Sequence, residues 1–235
     1  MTQAFAASDK VGEIVARFPK ATEILKKYQI DFCCGGQRSL RQATEERNLD
    51  TERLLGELDE AYQKNQALKE GQTEWLSMNP SDLIDYILNT HHAYLQEALP
   101  ELSELTTTIL RVHGPSHKEL SRLHKLFHTL KMDLEQHLIT EETIIFPAIK
   151  RRLADDFQGL DPETAESIRQ LEKEHEGAGD ILKEMRKITD NYTPPCDACP
   201  TYVRTLQKLE ELESDLFEHI HLENNVLHPR LRQMH

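Results

Sequence analysis

Two segments of the chain repeat one arrangement of histidine, glutamate and proline. They read "EQHLITEETIIFP" and "EHIHLENNVLHP", and the paired residues are His137 with Glu141 and His219 with Glu223. In each segment the glutamate follows the histidine by four positions and precedes the proline by six. Helical residues four apart lie on one face, so each segment aims an imidazole and a carboxylate at the same point. Such donors suit a metal ion.

The helix faces that carry these pairs are otherwise apolar. The first face also holds Leu126, Leu130, Leu134, Ile144 and Ala148, and the second holds Leu209, Leu212, Leu216, Val226 and Leu227. A carboxylate turned inward costs several kcal/mol unless it is paired, protonated or bound to a metal. Apart from Arg230 near a helix end, these faces offer no cation. One His-x3-Glu pair arises easily by accident, but its recurrence favours metal binding.

Two further segments each offer an inward histidine. His92 precedes His137 by 45 residues, and His175 precedes His219 by 44. His91 fits the apolar stripe of its helix somewhat better than His92, so periodicity leaves both open. Four imidazoles and two carboxylates are too many ligands for one tetrahedral zinc. They suit two carboxylate-bridged metal ions, with iron favoured over manganese or zinc, and histidine dominance suggests binding or reduction of a small ligand.

Long amphipathic segments must position these residues. They span 81–112, with Pro100 as a kink, then 116–153, 162–189 and 201–233, and short turn-rich stretches separate them. This pattern predicts an all-α fold with an up-down-up-down four-helix bundle. A small helical N-terminal domain precedes the bundle, with helices at 11–18, 19–28, 39–48 and 50–65. We expect domains at 1–65 and 81–235, joined by a linker at 66–80.

The remaining histidines and the cysteines have weaker assignments. His124, His128 and His221 are predicted to face solvent; His113, His117 and His235 lie at helix ends or the terminus, and His228 is a minor candidate for influencing the metal site. For Cys196 and Cys199, whose spacing occurs in redox and zinc sites, we favour incidental thiols in a loop over a redox role. The motif "DFCCGG" (residues 31–36) reads as an accessory thiol site, Cys33 and Cys34, on the small domain.

Composition limits the partners. The net charge of −13 disfavours nucleic acid and anionic membrane surfaces. No apolar run is long enough for a signal peptide or a membrane span. Four cysteines, two of them adjacent, do not resemble a disulfide framework. We therefore expect a cytoplasmic protein.

Several motifs together resemble one known family. They are "YxxDFCCGG", "LPEL", "HLITEETIIFP", "LEKEHEGAGDIL", "NYTPPCDAC" and "HIHLENNVLHP". The chain resembles the bacterial iron-sulfur cluster repair di-iron proteins, which carry a hemerythrin-like domain. The resemblance implies that His92, rather than His91, joins His137, His175 and His219 as a ligand of two iron ions, with Glu141 and Glu223 as bridges.

The resemblance also implies a function and its partners. It implies a stress-response protein that repairs iron-sulfur clusters damaged by nitrosative or oxidative stress, by supplying iron to client proteins, and it is compatible with a homodimer. The alternatives are a di-iron nitric oxide reductase, and a protein that binds or senses oxygen or nitric oxide. The "DFCCGG" domain argues against the last of these, because simple carriage needs only the bundle.

Overall fold

The computed structural model describes residues 4–68, 75–155 and 159–234. Within these ranges the secondary structure is helical, apart from one isolated backbone bridge between Lys10 and Ser39. The α-helices are α1 Val11–Arg17, α2 Ala21–Lys27, α3 Leu40–Glu45, α4 Thr51–Leu68, α5 Pro80–Ile87, α6 Ala93–His113, α7 Glu119–Thr140, α8 Phe146–Ala154, α9 Pro162–Ile188, α10 Pro200–His221 and α11 His228–Gln233. Three π-helical segments lie between α-helices: π1 Leu88–His92, π2 Glu141–Ile145 and π3 Leu222–Leu227. The predicted all-α class is confirmed.

Residues 84–217 form one compact unit, whose core is built by the four long helices of the bundle. Leucines dominate this core, and α6, α7, α9 and α10 each contribute some of them; examples are Leu102, Leu130, Leu182 and Leu209. Each of these side chains is fully buried. The predicted four-helix bundle is confirmed, because the apolar stripes read from the sequence meet in this core.

Residues 1–83 and 218–235 form the other compact unit. Its core contains apolar side chains of the short helices, including Val11, Ile14, Leu25, Leu40 and Leu58. Phe5, Phe18 and Tyr62 pack edge to face or stacked at ring distances of 5.3–6.3 Å. Helix α1 packs against π3 within this unit.

Local sequence signals explain where several helices begin. Ser39 and Gln42 form a reciprocal capping box at α3, and the Asp161 side chain accepts a hydrogen bond from the Thr164 N–H at 2.9 Å at the start of α9. Pro162 occupies the first turn of α9, where its missing N–H has no helical acceptor. Pro100 lies inside α6, which continues through it.

The predicted domain boundaries stay predictions. Residues 69–74 of the predicted linker lie outside the described residues, while α4 continues to Leu68 and α5 begins at Pro80. Among the described residues, no helix is both long enough and apolar enough to cross a membrane.

Candidate metal centre

The π-helical segments lie at the candidate ligands. His92 ends π1, Glu141 begins π2 and Glu223 lies in π3. Pro147 and Pro229 come two residues after the ends of π2 and π3, at the second position of the α-helix that follows. A proline ring clashes with the carbonyl four residues earlier and cannot donate a backbone hydrogen bond, so a wider turn relieves both problems. The spacing from glutamate to proline, which is the same in both segments, therefore encodes a local widening of the helix at each carboxylate.

Unit 84–217 brings four of the predicted ligands together. The Glu141 carboxylate is fully buried; its Oε2 lies 3.3 Å from His92 Nε2 and its Oε1 lies 3.2 Å from His137 Nε2. His175 Nε2 lies 3.0 Å from His137 Nε2. His92, His137 and His175 are also buried. One carboxylate thus faces two imidazoles through different oxygens, and a third imidazole stands beside them.

Two carboxylates outside this group orient its histidines. Glu142 Oε1 lies 2.9 Å from His92 Nδ1, and Glu174 Oε2 lies 2.9 Å from His137 Nδ1. A carboxylate can only accept, so each Nδ1 carries the proton and Nε2 is left in the form that binds metal. Sequence reasoning missed both glutamates; the available signal was that each adjoins a candidate ligand, Glu141 or His175.

A glutamine side chain donates a hydrogen bond to each of these two carboxylates. Gln96 Nε2 donates to Glu142 Oε1 at 3.4 Å, and Gln170 Nε2 donates to Glu174 Oε1 at 3.1 Å. Glu142 and Glu174 keep 34% and 41% of their side-chain surface exposed. His92 and His137 are therefore each linked by one hydrogen bond to a carboxylate that reaches solvent.

An open cavity lies beside this group. It has a volume of about 310 Å³, and its lining includes His137, His175, Glu174, Leu134 and Ile181. A cavity of this size admits a small molecule or a hydrated ion to the two imidazoles.

Unit 1–83 with 218–235 holds the other two predicted ligands. His219 Nε2 lies 3.3 Å from Glu223 Oε1, and both side chains are buried. The cation available on this helix face is directed elsewhere, because Arg230 donates to the backbone carbonyl of Met78 at 2.6 Å and to that of Trp75 at 3.4 Å. The local pair is thus an imidazole and a carboxylate, as in the first segment.

The "DFCCGG" loop packs onto the same helical segment. Asn225 Nδ2 donates to the carbonyl oxygens of Cys33 at 2.8 Å and Phe32 at 3.3 Å. A Cβ added at Gly36 would come within 2.6 Å of the Phe32 carbonyl oxygen and would collide with Asn225. The atoms nearest to a Cβ added at Gly12 belong to the Asn225 side chain, at 2.5 Å and beyond. Both glycines are required because the Asn225 side chain fills the space where a methyl group would stand.

The loop itself is organised around Asp31. Its Oδ1 accepts hydrogen bonds from the backbone N–H of Cys33 at 3.2 Å and of Gly35 at 3.0 Å, and lies 3.3 Å from Cys33 Sγ. The Cys33 and Cys34 sulfurs are 3.8 Å apart, with Cys33 buried and Cys34 half-buried. The hydrogen bond to Cys34, burial, and the nearby charges of Cys34 and Asp31 raise the pKa of Cys33. The buried sulfur is therefore held as a thiol.

Several expectations for other side chains are wrong. His221 does not face solvent; it is buried, with its ring 6.1 Å from Phe32 and 6.0 Å from Trp75, and desolvation lowers its pKa to about 4. A helical wheel uses only local periodicity, so it could not show that residues distant in sequence bury a second face of this helix. Ile144 is 61% exposed, because the wide turn of π2 rotates the buried face onto Ile145.

The remaining histidines fall into three environments. His91 is buried with Nδ1 2.9 Å from Asp215 Oδ1, whereas His92 is the neighbour of Glu141. His228 is buried. His124 and His128 are half-buried rather than solvent-facing, with their rings 4.1 Å apart. Burial lowers the pKa of both.

Comparison with known proteins assigns the chain to a family. Residues 83–231 match the hemerythrin HHE cation binding domain, and residues 7–62 match a domain of unknown function, DUF542. Proteins named "Iron-sulfur cluster repair protein YtfE" are 36% identical in Enterobacter sp. (strain 638) and in Escherichia coli O157:H7, and 35% identical in Citrobacter koseri; each match covers 94% of both chains. The chain belongs to the iron-sulfur cluster repair protein family. The resemblance read from the motifs is confirmed.

Family membership implies a bound cation, and the donors present fit one. In unit 84–217 one ligand atom each of His137, Glu141 and His175 lies within 4.8 Å of the others. The carboxylates that fix the Nδ1 protons leave nitrogen and oxygen donors directed inward. The hemerythrin HHE cation binding domain, at 83–231, spans all six candidate ligands.

Proposed function

We propose that the protein holds two iron ions and uses them to repair iron-sulfur clusters. The proposed ligands are His92, His137, His175 and His219, with Glu141 and Glu223 as bridging carboxylates. The observation that carries this proposal is the position of Glu141, whose two oxygens face the Nε2 atoms of two different histidines. A carboxylate that bridges two cations presents its oxygens in this way. The match to the hemerythrin HHE cation binding domain, which spans all six residues, supports a single centre.

The choice of iron follows from the donors. Four imidazoles and two carboxylates, without a thiolate, suit iron better than structural zinc. Two iron ions would supply redox equivalents and coordination positions for a small ligand such as nitric oxide or oxygen. The protein's own residues orient the imidazoles through Glu142 and Glu174 and bury the bridging carboxylate.

The proposed activity is supply of iron to damaged clusters. Relatives that share 94% of this chain's length are named iron-sulfur cluster repair proteins, and this supports the assignment. The cavity at His137 and His175 supports release of an ion, because it offers a path between these ligands and solvent. Iron-sulfur proteins are then the clients, and the cytoplasm is the expected location. Cys33 and Cys34 would contribute accessory thiols, and a homodimer remains part of the proposal.

Metal analysis is the first test. Protein purified without oxygen should contain about two iron ions per chain and show the optical spectrum of a non-haem di-iron centre. Protein competent to bind metal that holds no iron, or only one tightly bound zinc, contradicts the proposal.

A transfer assay separates repair from the alternative of nitric oxide reduction. The iron-loaded protein is incubated with a client whose cluster has been damaged, in the presence of a chelator that traps free iron. Recovery of the client together with loss of iron from the protein supports directed supply. Catalytic consumption of nitric oxide with no iron lost would favour the reductase instead.

A further inference from the structure

The 189–199 connection of unit 84–217 carries Cys196 and Cys199 and contacts two histidines, one at the end of α6 and one in the connection that follows it. Cys199 Sγ lies 3.2 Å from His113 Nε2, and the intervening Asp197 lies 3.1 Å from His117 Nε2 through Oδ1. His113 ends α6, and His117 precedes α7. The two histidines therefore fix the cysteine loop at two points.

Cys199 also lies at the beginning of a long helix. Its carbonyl oxygen accepts the Val203 N–H at 3.1 Å, which makes Cys199 the residue that precedes α10. Helix N-termini stabilise negative charge, so the backbone and the imidazole both favour the thiolate.

Cys196 occupies a different environment three residues earlier. It is exposed, whereas Cys199 is half-buried and packs against the core. The Ala198 N–H donates to the Pro195 carbonyl at 3.0 Å, which closes a turn around Cys196 and Asp197. One sulfur is thus stabilised by neighbours, and the other is presented to solvent.

We propose that Cys196 and Cys199 form a thiol–disulfide exchange site for low-molecular-weight disulfides, with Cys199 as the attacking thiolate and Cys196 as the resolving thiol. The Cys199 sulfur bonds to one sulfur of the reagent, the reagent's S–S bond breaks, and one thiolate leaves. Cys196 then loses its proton and attacks the Cys199 sulfur, which releases the second thiolate. The chain is oxidised by two electrons to a disulfide, and the reagent is reduced to two thiols.

The protonation of Cys199 agrees with this role. The hydrogen bond from His113 and those from the backbone of Tyr202 and Thr201 lower its pKa to about 7. Asp197, through its hydrogen bond, raises the pKa of the His117 imidazole in the same loop. About half of Cys199 is then thiolate at pH 7, against a few per cent for an ordinary cysteine.

A metal site fits the geometry less well. The pattern of Cys196, Cys199, His113 and His117 has zinc-like spacing. Among the described residues, however, no three of these donors gather within 4.8 Å of one another. His117 contacts Asp197 instead of a sulfur. The geometry thus favours an activated thiol at Cys199, three residues after a second thiol, over a metal site.

Glutathione disulfide is the probe for the test, applied to the full-length, iron-loaded protein. Mass spectrometry should find a disulfide between Cys196 and Cys199 in the parent protein. Cys196→Ser should accumulate the mixed disulfide on Cys199, and Cys199→Ser should leave Cys196 largely unmodified. Failure of Cys196→Ser to trap an adduct at Cys199, or consumption of Cys33 and Cys34 alone, would overturn the proposal. Zinc that is retained by the parent protein and lost in both cysteine variants would overturn it in favour of a metal site.

Alkylation kinetics test the role assigned to His113. The pH midpoint for alkylation of Cys199 should lie near 7. At pH 7 the rate should exceed that of an ordinary cysteine by about three- to sixfold, because the larger thiolate fraction outweighs the weaker nucleophilicity of a low-pKa thiolate. His113→Gln should raise the pH midpoint for alkylation of Cys199. The control His124→Gln should not raise it, because the His124 side chain hydrogen-bonds to Thr107 instead. An ordinary midpoint in the parent protein would refute the thiolate even if His113→Gln failed to fold.

Discussion

The two His-x3-Glu segments share a sequence pattern but differ in what surrounds them. Around His137 and Glu141 the supporting group is a carboxylate, Glu174, which is 41% exposed and adjoins a cavity. Around His219 and Glu223 the neighbouring side chains are buried, and Asn225 connects the helix to the "DFCCGG" loop through two backbone carbonyls. The first segment is linked to solvent, and the second is linked to a loop that carries thiols.

This difference separates two kinds of information in the sequence. The repeated pattern specifies an imidazole, a carboxylate four residues later and a widened helical turn at the carboxylate. The residues that differ between the two segments determine how far each segment is exposed to solvent. In the first segment Ile139 and Ile144 are more than half exposed, whereas His221 and His228, in the second, are fully buried. We therefore expect ligand exchange at the first segment, and structural communication with the thiol loop at the second.

The largest expected effect is loss of the metal when either carboxylate is neutralised. Glu141→Gln and Glu223→Gln keep the side-chain shape but remove the charge that we propose binds the cation. Each variant should hold less than one iron per chain, measured by metal analysis after purification without oxygen. Glu176→Gln, on an exposed position of α9, is the matched control and should keep the parent content. Full iron content in Glu223→Gln would show that the two segments are not equivalent as ligands.

The next effect concerns the packing of the thiol loop. Gly36→Ala places a methyl group against the Phe32 carbonyl and against Asn225, so it should destabilise the unit 1–83 with 218–235 by about 1–3 kcal/mol. Hydrogen exchange at α1, whose Gly12 N–H donates to the Gly36 carbonyl at 2.8 Å, measures the loss.

Gly56→Ala provides the control for this substitution. No atom lies within 4 Å of a Cβ added at Gly56, which occupies an exposed position inside α4. Alanine there should stabilise the helix by up to about 1 kcal/mol. Equal protection of α1 in Gly36→Ala and Gly56→Ala would contradict the close approach of Asn225 to the loop.

The sequence predicted the helices, and it placed the histidine and glutamate of each His-x3-Glu pair on one helix face, because local rules determine both. Helical periodicity and capping residues such as Asp161 and Ser39 depend on neighbours within one turn or two. The same rules failed where the turn itself changes, since a fixed angle per residue placed Ile144 inward although π2 exposes it. Periodicity also left His91 and His92 unresolved, because π1 buries both of them.

Contacts between distant residues could not be read from the pattern. Glu174 supports His137 from another helix, and Asn225 reaches Cys33 across 192 positions of sequence. His221 was assigned to solvent because nothing local indicated that Phe32 and Trp75 cover it. Ligand type and helix phase are thus encoded nearby, while orientation and access depend on tertiary packing.

A smaller effect is expected when the carboxylate that supports His137 is neutralised. Glu174→Gln replaces the charged acceptor of the Nδ1 proton by a neutral amide, so iron affinity should fall by about 10–100-fold while the ligands stay in place. Competition with a chelator of known affinity measures the change. Glu176→Gln, two positions along α9, is again the control. An unchanged iron affinity would show that Glu174 does not orient the His137 imidazole. The solvent exposure of this segment would then have a role other than supporting a metal ligand.

The smallest effect isolates the link between the second segment and the N-terminal residues. The three atoms nearest to a Cβ added at Gly12 all belong to Asn225, at 2.5, 2.7 and 3.1 Å, so the cost of Gly12→Ala should depend on that side chain. Asn225→Ala removes the obstacle but also removes the donor to the Phe32 and Cys33 carbonyls. In a double-mutant cycle the two changes should therefore cost less together than the sum of their separate costs, by about 1 kcal/mol.

Hydrogen exchange at α1 and the alkylation rate of Cys34 give the cycle two readouts. In the Asn225→Ala background, Gly12→Ala should change neither hydrogen exchange at α1 nor the alkylation rate of Cys34 by much. The methyl group then enters the space that the Asn225 amide occupied. Asn225→Ala alone should speed alkylation of Cys34, since the loop loses two hydrogen bonds that hold its backbone to the helix. Additive effects in the cycle, with Cys34 alkylation unchanged, would mean that Asn225 does not couple the metal-binding helix to the thiol loop.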